Sequence, residues 1–460
     1  MARKRIYLCL AHMSEAGLEQ KYIKEAFDTN WVVPLGPNVN AFEKNLEDFV
    51  SQNDDNDHDL NKRVVCLSAG TAAVHLALIA CGVGPGDEVI VQSFTFCASS
   101  HPITYLGATP VFVDSEKDTW NIDPDLMEEA IKDRIAKTGK KPKAIVPVAL
   151  YGMPYKIDRI MEIANKYEIP VVEDAAEGFG SKFKGQVLGT FGKYGVLSFN
   201  GNKIITTSGG GALITEDEEH WREIMMYATQ FRESYPYYQH EKIGYNYRMS
   251  NICAGIGRGQ MTVVNDHIAH HKHVQKMYEE LLADVPGIHV HSQPNDKWSM
   301  DNGKSSMVYD SNYWLCTITI DEDLKIKGQE NAYKTVVKGA VGGAAGVIHM
   351  AESAHTDCEP NANVEALRVF MDQAQIEARP LWKPMHKQPC YCASLNDSKK
   401  IKKELLPCGT ICQTSGTSVA YVNGVSEELF RGGLCLPAGP YVTDDDVRYI
   451  ISCVKNAIEY

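Results

Sequence analysis

Apolar residues in the first half of the chain fall into short runs at 64–67, 88–91, 110–113, 144–148 and 170–172, each bounded by Gly, Pro or polar residues. Such runs are the signature of strands buried on both faces. Between them, apolar positions recur at helical spacing over 71–81, 98–106, 123–136 and 157–167. Asp123-Pro124 marks one helix start, an N-cap side chain followed by proline at the first helical position. Two further apolar runs, 194–199 and 212–215, predict more strands. Strand and helix alternate, so the expected fold class is α/β, a large domain around a mostly parallel seven-stranded sheet.

The ends of the chain follow other patterns. Residues 1–40 hold a short helical pattern and then Pro34, Gly36 and Pro37, which force an extended turn before a helix at 41–50. The acidic polar stretch 52–59 reads as an exposed loop insertion. A long helix is predicted over 261–282 and a strand over 313–320, with a glycine- and alanine-rich run at 339–346 and a closing helix at 443–458. The expected division is an N-terminal segment 1–40, a large domain 41–284 and a smaller C-terminal α/β domain 285–460, with insertions near 325–365 and 390–425.

Composition narrows the function classes. Of 460 residues, 44% are apolar, enough for a substantial core, and the net charge of −13 argues against general binding to nucleic acid or membrane. Thirteen scattered cysteines in a chain this large fit free thiols in a reducing cytoplasm. The apolar stretch 6–11 stops at His12, too short for the core of a signal peptide.

The richest chemical cluster runs from Ser198 to Gly211. A strand delivers the Ser198 hydroxyl, the Lys203 amine follows five residues later, and Gly209, Gly210 and Gly211 clear space behind it. An amine so placed can form a Schiff base with a cofactor aldehyde while the hydroxyl binds its phosphate, which points to pyridoxal phosphate (PLP) chemistry. A surface lysine in a turn would look the same locally. Gly70, Thr71 and Ala72 open the helix after the first strand, where free amides and a hydroxyl can hold a phosphate, though neither nucleotide-binding fingerprint is present. Glu173 to Glu177 closes another strand; an acid there can pair with a pyridinium nitrogen, or can cap the next segment. Phe94 and Phe96 offer a ring for stacking on a flat cofactor, or for the core.

Taken in chain order, phosphate turn, ring, acid, hydroxyl and lysine resemble the DegT/StrS family of sugar aminotransferases. The runs 198–211, 244–251 and 376–386 carry the resemblance, which extends from Trp31 nearly to the C-terminus. It lies nearest to enzymes that aminate a UDP-linked 4-keto-6-deoxy-N-acetylglucosamine on the bacillosamine route. The resemblance implies an aspartate-aminotransferase-type fold (PLP fold type I), with residues 1–40 packing at the active site. Lys203 is the implied catalytic Schiff-base lysine, Asp174 the partner of the pyridine nitrogen and Phe96 the stacking ring. Gly70, Thr71, Ala72 and Ser198 are implied to hold the phosphate, and Asn246 to reach it from the neighbouring subunit of a homodimer with shared sites. Glu177 stands where the wider family has glutamine or histidine; beside a phenolic oxygen its carboxyl should share a proton or titrate high. Pro37, Asn38, Arg379, Trp382 and His386 are implied to lie near the nucleotide sugar, with glutamate as amino donor.

Two other functions fit the same pocket. PLP-dependent sugar dehydratases of this family carry histidine in place of the lysine, so Lys203 argues against that activity. A non-catalytic PLP-binding regulator would need a partner-binding element, and no DNA-binding helix-turn-helix or basic stripe is present. His386, Cys390, Cys392, Cys408 and Cys412 are acceptable zinc ligands, but their spacing matches no zinc motif and no metal is expected.

Overall fold

The strand–helix alternation folds into one twisted sheet in which seven strands run in the order Thr109–Val113, Glu88–Gln92, Ala144–Val146, Val172–Asp174, Tyr194–Ser198, Gly211–Thr215, Arg63–Leu67. Gly211–Thr215 is antiparallel to both neighbours and the other six are parallel to one another. The structure, a computed structural model, describes residues 4–52, 54, 60–299, 305–332, 358–392, 402–406, 410–415 and 417–459. The α/β class and the mostly parallel seven-stranded core are as the sequence pattern predicts. Local signals also act where expected. The Asp123 side chain accepts the N–H groups of Asp125 and Leu126, Pro124 opens helix Pro124–Thr138, and Gly139 at φ 71° ends it.

Two boundaries differ from expectation. The helix predicted over 261–282 is present as Val264–Leu282, and a separate helix, Asn251–Met261, precedes it. The strand predicted from 313 begins at Cys316, because Tyr313 sits at φ 49° and turns the chain.

The C-terminal part does not stay with the smaller domain. Strand Val419–Val422 pairs in parallel with Thr109–Val113, and Ile411–Thr414 and Lys402–Leu405 continue outward from it. Val111, Phe112 and Val113 are fully buried, and a buried edge strand needs a partner for its main-chain groups. Residue 285 therefore divides the chain but not the sheets. The smaller sheet is antiparallel, in the order Ile288–Val290, Cys316–Ile320, Gly433–Leu436, Arg379–Pro380. Helices Ala362–Gln373 and Asp444–Ala457 bring Leu367 and Ile450 into a second core with Ile318 and Leu434. Ile6 joins that core, and the Ala11 N–H donates to the Gly201 carbonyl on the Lys203 loop. The expected insertions fall partly outside the described residues, as do the run 339–346 and Cys408. Among the described residues no helix is long and apolar enough to cross a membrane.

Candidate active site

All the parallel strands of the large sheet end on one edge, so the residues just past them converge. A cavity of about 300 Å³ opens there, lined among others by Gly70, Thr71, Phe96, Asp174, Glu177, Ser198, Lys203, Trp314 and Trp382. A second cavity of about 370 Å³ adjoins it across Thr95, Phe96 and Trp382.

Lys203 lies in a loop between the antiparallel strands Tyr194–Ser198 and Gly211–Thr215. That loop is closed at its neck by Phe199 N–H to Gly210 O and Thr207 N–H to Phe199 O. The Lys203 Nζ stands 3.3 Å from Glu177 Oε1 and 3.8 Å from the centre of the Trp314 ring, with its side chain 14% exposed. The second Glu177 oxygen accepts the Tyr151 N–H at 2.7 Å. Burial pushes the Glu177 carboxyl above its ordinary value, and the Lys203 charge and the Tyr151 N–H pull it back only in part. Desolvation is the leading cause of that shift.

Strand alternation separates the two neighbouring acids. Glu173 is spent on structure: its oxygens accept the N–H groups of Gly189 at 3.1 Å, Phe191 at 2.6 Å and Gly192 at 2.5 Å. Asp174 faces the cavity, where Ser99 Oγ donates to Oδ2 at 2.6 Å and Ala176 N–H to Oδ1 at 3.1 Å. Burial raises the Asp174 carboxyl, opposed by those two donors and by Lys203. A cation on the cavity side would hold it ionised. Phe94 is fully buried in the core, whereas Phe96 is 57% exposed and lines both cavities.

Helix Gly70–Ala80 begins without a side-chain cap, so its first amides keep their donor capacity. The Thr71 and Ser198 side chains line the same cavity. A Cβ at Gly211 would lie 2.3 Å from Gly70 N, so only glycine lets the strand approach the helix start this closely.

The remaining candidates lie elsewhere. Ala72 is buried in the first turn of that helix, outside the cavity lining. Pro37 opens helix Pro37–Val50, and the Asn38 side chain is taken up by Tyr22 O, Asn251 O and Arg258. Arg379 bonds Glu377. His386 is buried, with Nδ1 at 2.6 Å from Ser93 Oγ and Nε2 at 3.2 Å from Glu427. Asn246 is exposed and lines neither cavity of its own chain. Among the described residues no group of three or more His, Cys, Asp or Glu side chains could hold a metal ion.

The sequence model of the DegT/DnrJ/EryC1/StrS aminotransferase family matches residues 14–337. A Bacillus subtilis protein named as a pyridoxal phosphate-dependent aminotransferase, EpsN, is 38% identical over 448 residues, 97% of this chain and 94% of that one. The chain belongs to the DegT/DnrJ/EryC1/StrS aminotransferase family. A GDP-perosamine synthase of Caulobacter vibrioides is 33% identical over 442 residues, 96% of each chain. The crystal structure of a DegT/DnrJ/EryC1/StrS aminotransferase from Brucella abortus superposes with a TM-score of 0.73 at 24% identity, covering 96% of this chain and 95% of that one, which shows the fold.

PLP is the cofactor of this aminotransferase, and the cavity fits it. The uncapped helix start with the Thr71 and Ser198 hydroxyls suits a phosphate, the buried Asp174 makes no ion pair among the described residues, and the Lys203 amine faces the same space. Sequence reasoning missed Ser99, Tyr151 and Trp314. Ser99 and Tyr151 act through bonds to residues far away in sequence, and Trp314 sits in a segment read as strand. No local pattern marks them.

Proposed function

We propose that this protein is a nucleotide-sugar aminotransferase that moves an amino group from glutamate to the keto carbon of a nucleotide-linked 4-keto-6-deoxy sugar. UDP-4-keto-6-deoxy-N-acetylglucosamine is the first candidate. The observation that carries the reading is the convergence of Lys203, Asp174 and an uncapped helix start on one cavity. Two relatives, one named as an aminotransferase and one as a GDP-perosamine synthase, match along nearly the whole chain.

Bound PLP supplies an electron sink that lets the carbon bearing the amino group lose a proton. Lys203 Nζ provides the covalent attachment point and, once released, the base that carries that proton. Asp174 would pair with the cofactor's ring nitrogen, and its bonds to Ser99 and Ala176 fix the carboxylate plane. Phe96 supplies a stacking face, and the Gly70–Ala72 amides with Thr71 and Ser198 anchor the phosphate. Glu177 would stand near the phenolic oxygen of the bound cofactor, where its burial favours a carboxyl that keeps a proton against the opposing pull of Lys203. Trp382 forms the wall toward the second cavity, where the nucleotide sugar enters. Asn246, exposed and outside its own cavity, serves the partner's phosphate in a homodimer of the cytoplasm.

The test is amino transfer from glutamate to 4-keto-6-deoxy sugars carried on UDP, GDP and dTDP. The expected result is a product amine from one nucleotide class and glutamate-driven bleaching of the cofactor's visible band. No amine from any of the three, with no bleaching, refutes the reading.

A further inference from the structure

Tyr151 is a buried aromatic residue held at φ 55° and ψ 16°, in the left-handed region that side chains seldom occupy. Such strain persists only where the surroundings over-determine it. Here they do. The next residue, Gly152, stands at φ 93°, where a Cβ would lie 1.9 Å from Asn312 Oδ1. Asn312 in turn donates to the carbonyls of Glu177 and Phe179, and Ser181 and Ser311 both donate to the Gly152 carbonyl.

The strained turn lets one residue hold two others. The Tyr151 N–H donates to Glu177 Oε2 at 2.7 Å and leaves Oε1 toward Lys203. Its phenol oxygen accepts the Trp382 main-chain N–H at 2.8 Å, and the two rings pack with centroids 5.5 Å apart. Trp382 is the wall shared by both cavities, and its own indole N–H is buried with no partner among the described residues. An unpaired buried donor needs an explanation, and on a residue that lines both cavities a ligand acceptor supplies one.

We propose that Tyr151 is a positioning residue that ties the cofactor side of the site to the substrate side. Its main chain aims the Glu177 carboxyl at Lys203, and its phenol fixes Trp382 so that the indole N–H meets an oxygen of the incoming sugar. The inference rests on the aminotransferase reading.

Tyr151→Phe removes the acceptor for Trp382 and keeps the main-chain bond to Glu177; Trp382→Phe removes the indole donor and keeps the ring. Each is expected to raise KM for the keto sugar roughly tenfold, and in Tyr151→Phe the glutamate half-reaction stays within about twofold. The double variant should lose little more than either alone, because both changes cut one connection. A readout apart from turnover is the pH midpoint of the bound cofactor's visible band, unchanged in Tyr151→Phe and displaced in Glu177→Gln. Additive losses in the double variant, or equal slowing of both half-reactions in Tyr151→Phe, would overturn the proposal. If Tyr151→Phe does not fold, Trp382→Phe decides alone: a raised KM supports the indole contact and an unchanged KM removes it. Wild-type protein that never bleaches with glutamate refutes the aminotransferase reading instead, a result distinct from every variant outcome.

Discussion

The cavity has two walls of unlike origin. The cofactor-side wall comes from strand ends of one sheet: Asp174 and Ser198 close their strands, and Gly70, Phe96 and Lys203 follow a few residues after theirs. The opposite wall is Trp314 and Trp382, which belong to turns leading into and out of the smaller sheet. Trp314 reaches the site because Asn312 anchors its turn to Glu177 O and because its indole donates to Asn202 O at 2.6 Å. Trp382 reaches it because Tyr151 accepts its N–H. One wall is a consequence of sheet topology. The other depends on individual long-range bonds, so damage there should be graded and selective, whereas damage to the first wall should be near-total.

The largest effect expected is at Lys203. Lys203→Ala should lower amino transfer by roughly 10³-fold or more, and borohydride trapping of the wild-type protein should label position 203 alone. A label elsewhere would dissolve the comparison, because the first wall would no longer hold the chemistry. Asp174→Asn, which keeps a partner for Ser99, should cost roughly a hundredfold in both half-reactions, read by single-turnover absorbance. The second wall should answer more mildly. Trp314→Phe removes the bond to Asn202 and shrinks the ring over Lys203, so both half-reactions should slow by about tenfold at most. A loss as large as that of Lys203→Ala would mean that the two walls are not separable.

Glu173 and Asp174 sharpen the contrast within two adjacent positions. Glu173→Gln removes the charge from an acceptor of three main-chain N–H groups, so it should lower stability by about 1–3 kcal/mol in denaturant titration. Its kcat should stay within about twofold of wild type. The smallest effect is one of pH. Burial holds the His291 imidazole at about 3, against an ordinary 6.5. The unfolded chain therefore takes up a proton in that window which the folded chain does not, and stability is full above 6.5 and lost as pH falls below it. His291→Phe keeps the stacking on Trp120 and should flatten part of the fall in unfolding temperature between about pH 7 and pH 5.

Much of the first wall was legible because each signal is local. The run to Ser198 and Lys203, the helix start at Gly70 and the acid at the end of a strand depend on residues a few positions apart, and periodicity alone orders them on one sheet. The pair of acids was legible as a pair. Which one faces the cavity follows from strand register, and Glu173 is recognisable as structural only once the 189–192 turn is seen around it. Likewise the residue pattern alone does not separate Phe94 from Phe96; the family resemblance picks Phe96, and burial accounts for the choice. The strands at 402–422 were read as part of an insertion in the smaller domain because nothing local states which sheet an apolar strand will join. His386 carries a motif and yet points to Ser93 and Glu427, since a motif fixes the residue and not its direction.

The amino-acid sequence by itself determined the α/β class, the polarity of the large sheet and the edge on which its chemistry gathers. Those follow from apolar period, turn residues and the handedness of crossover connections, all short-range properties of the chain. Tertiary structure alone decided how Glu173 is spent on the 189–192 turn, how deeply Phe94 is buried, and how Tyr151 joins Glu177 to Trp382. The reason is physical: direction, burial and hydrogen-bond partnership arise only when segments distant along the chain exclude water from one another.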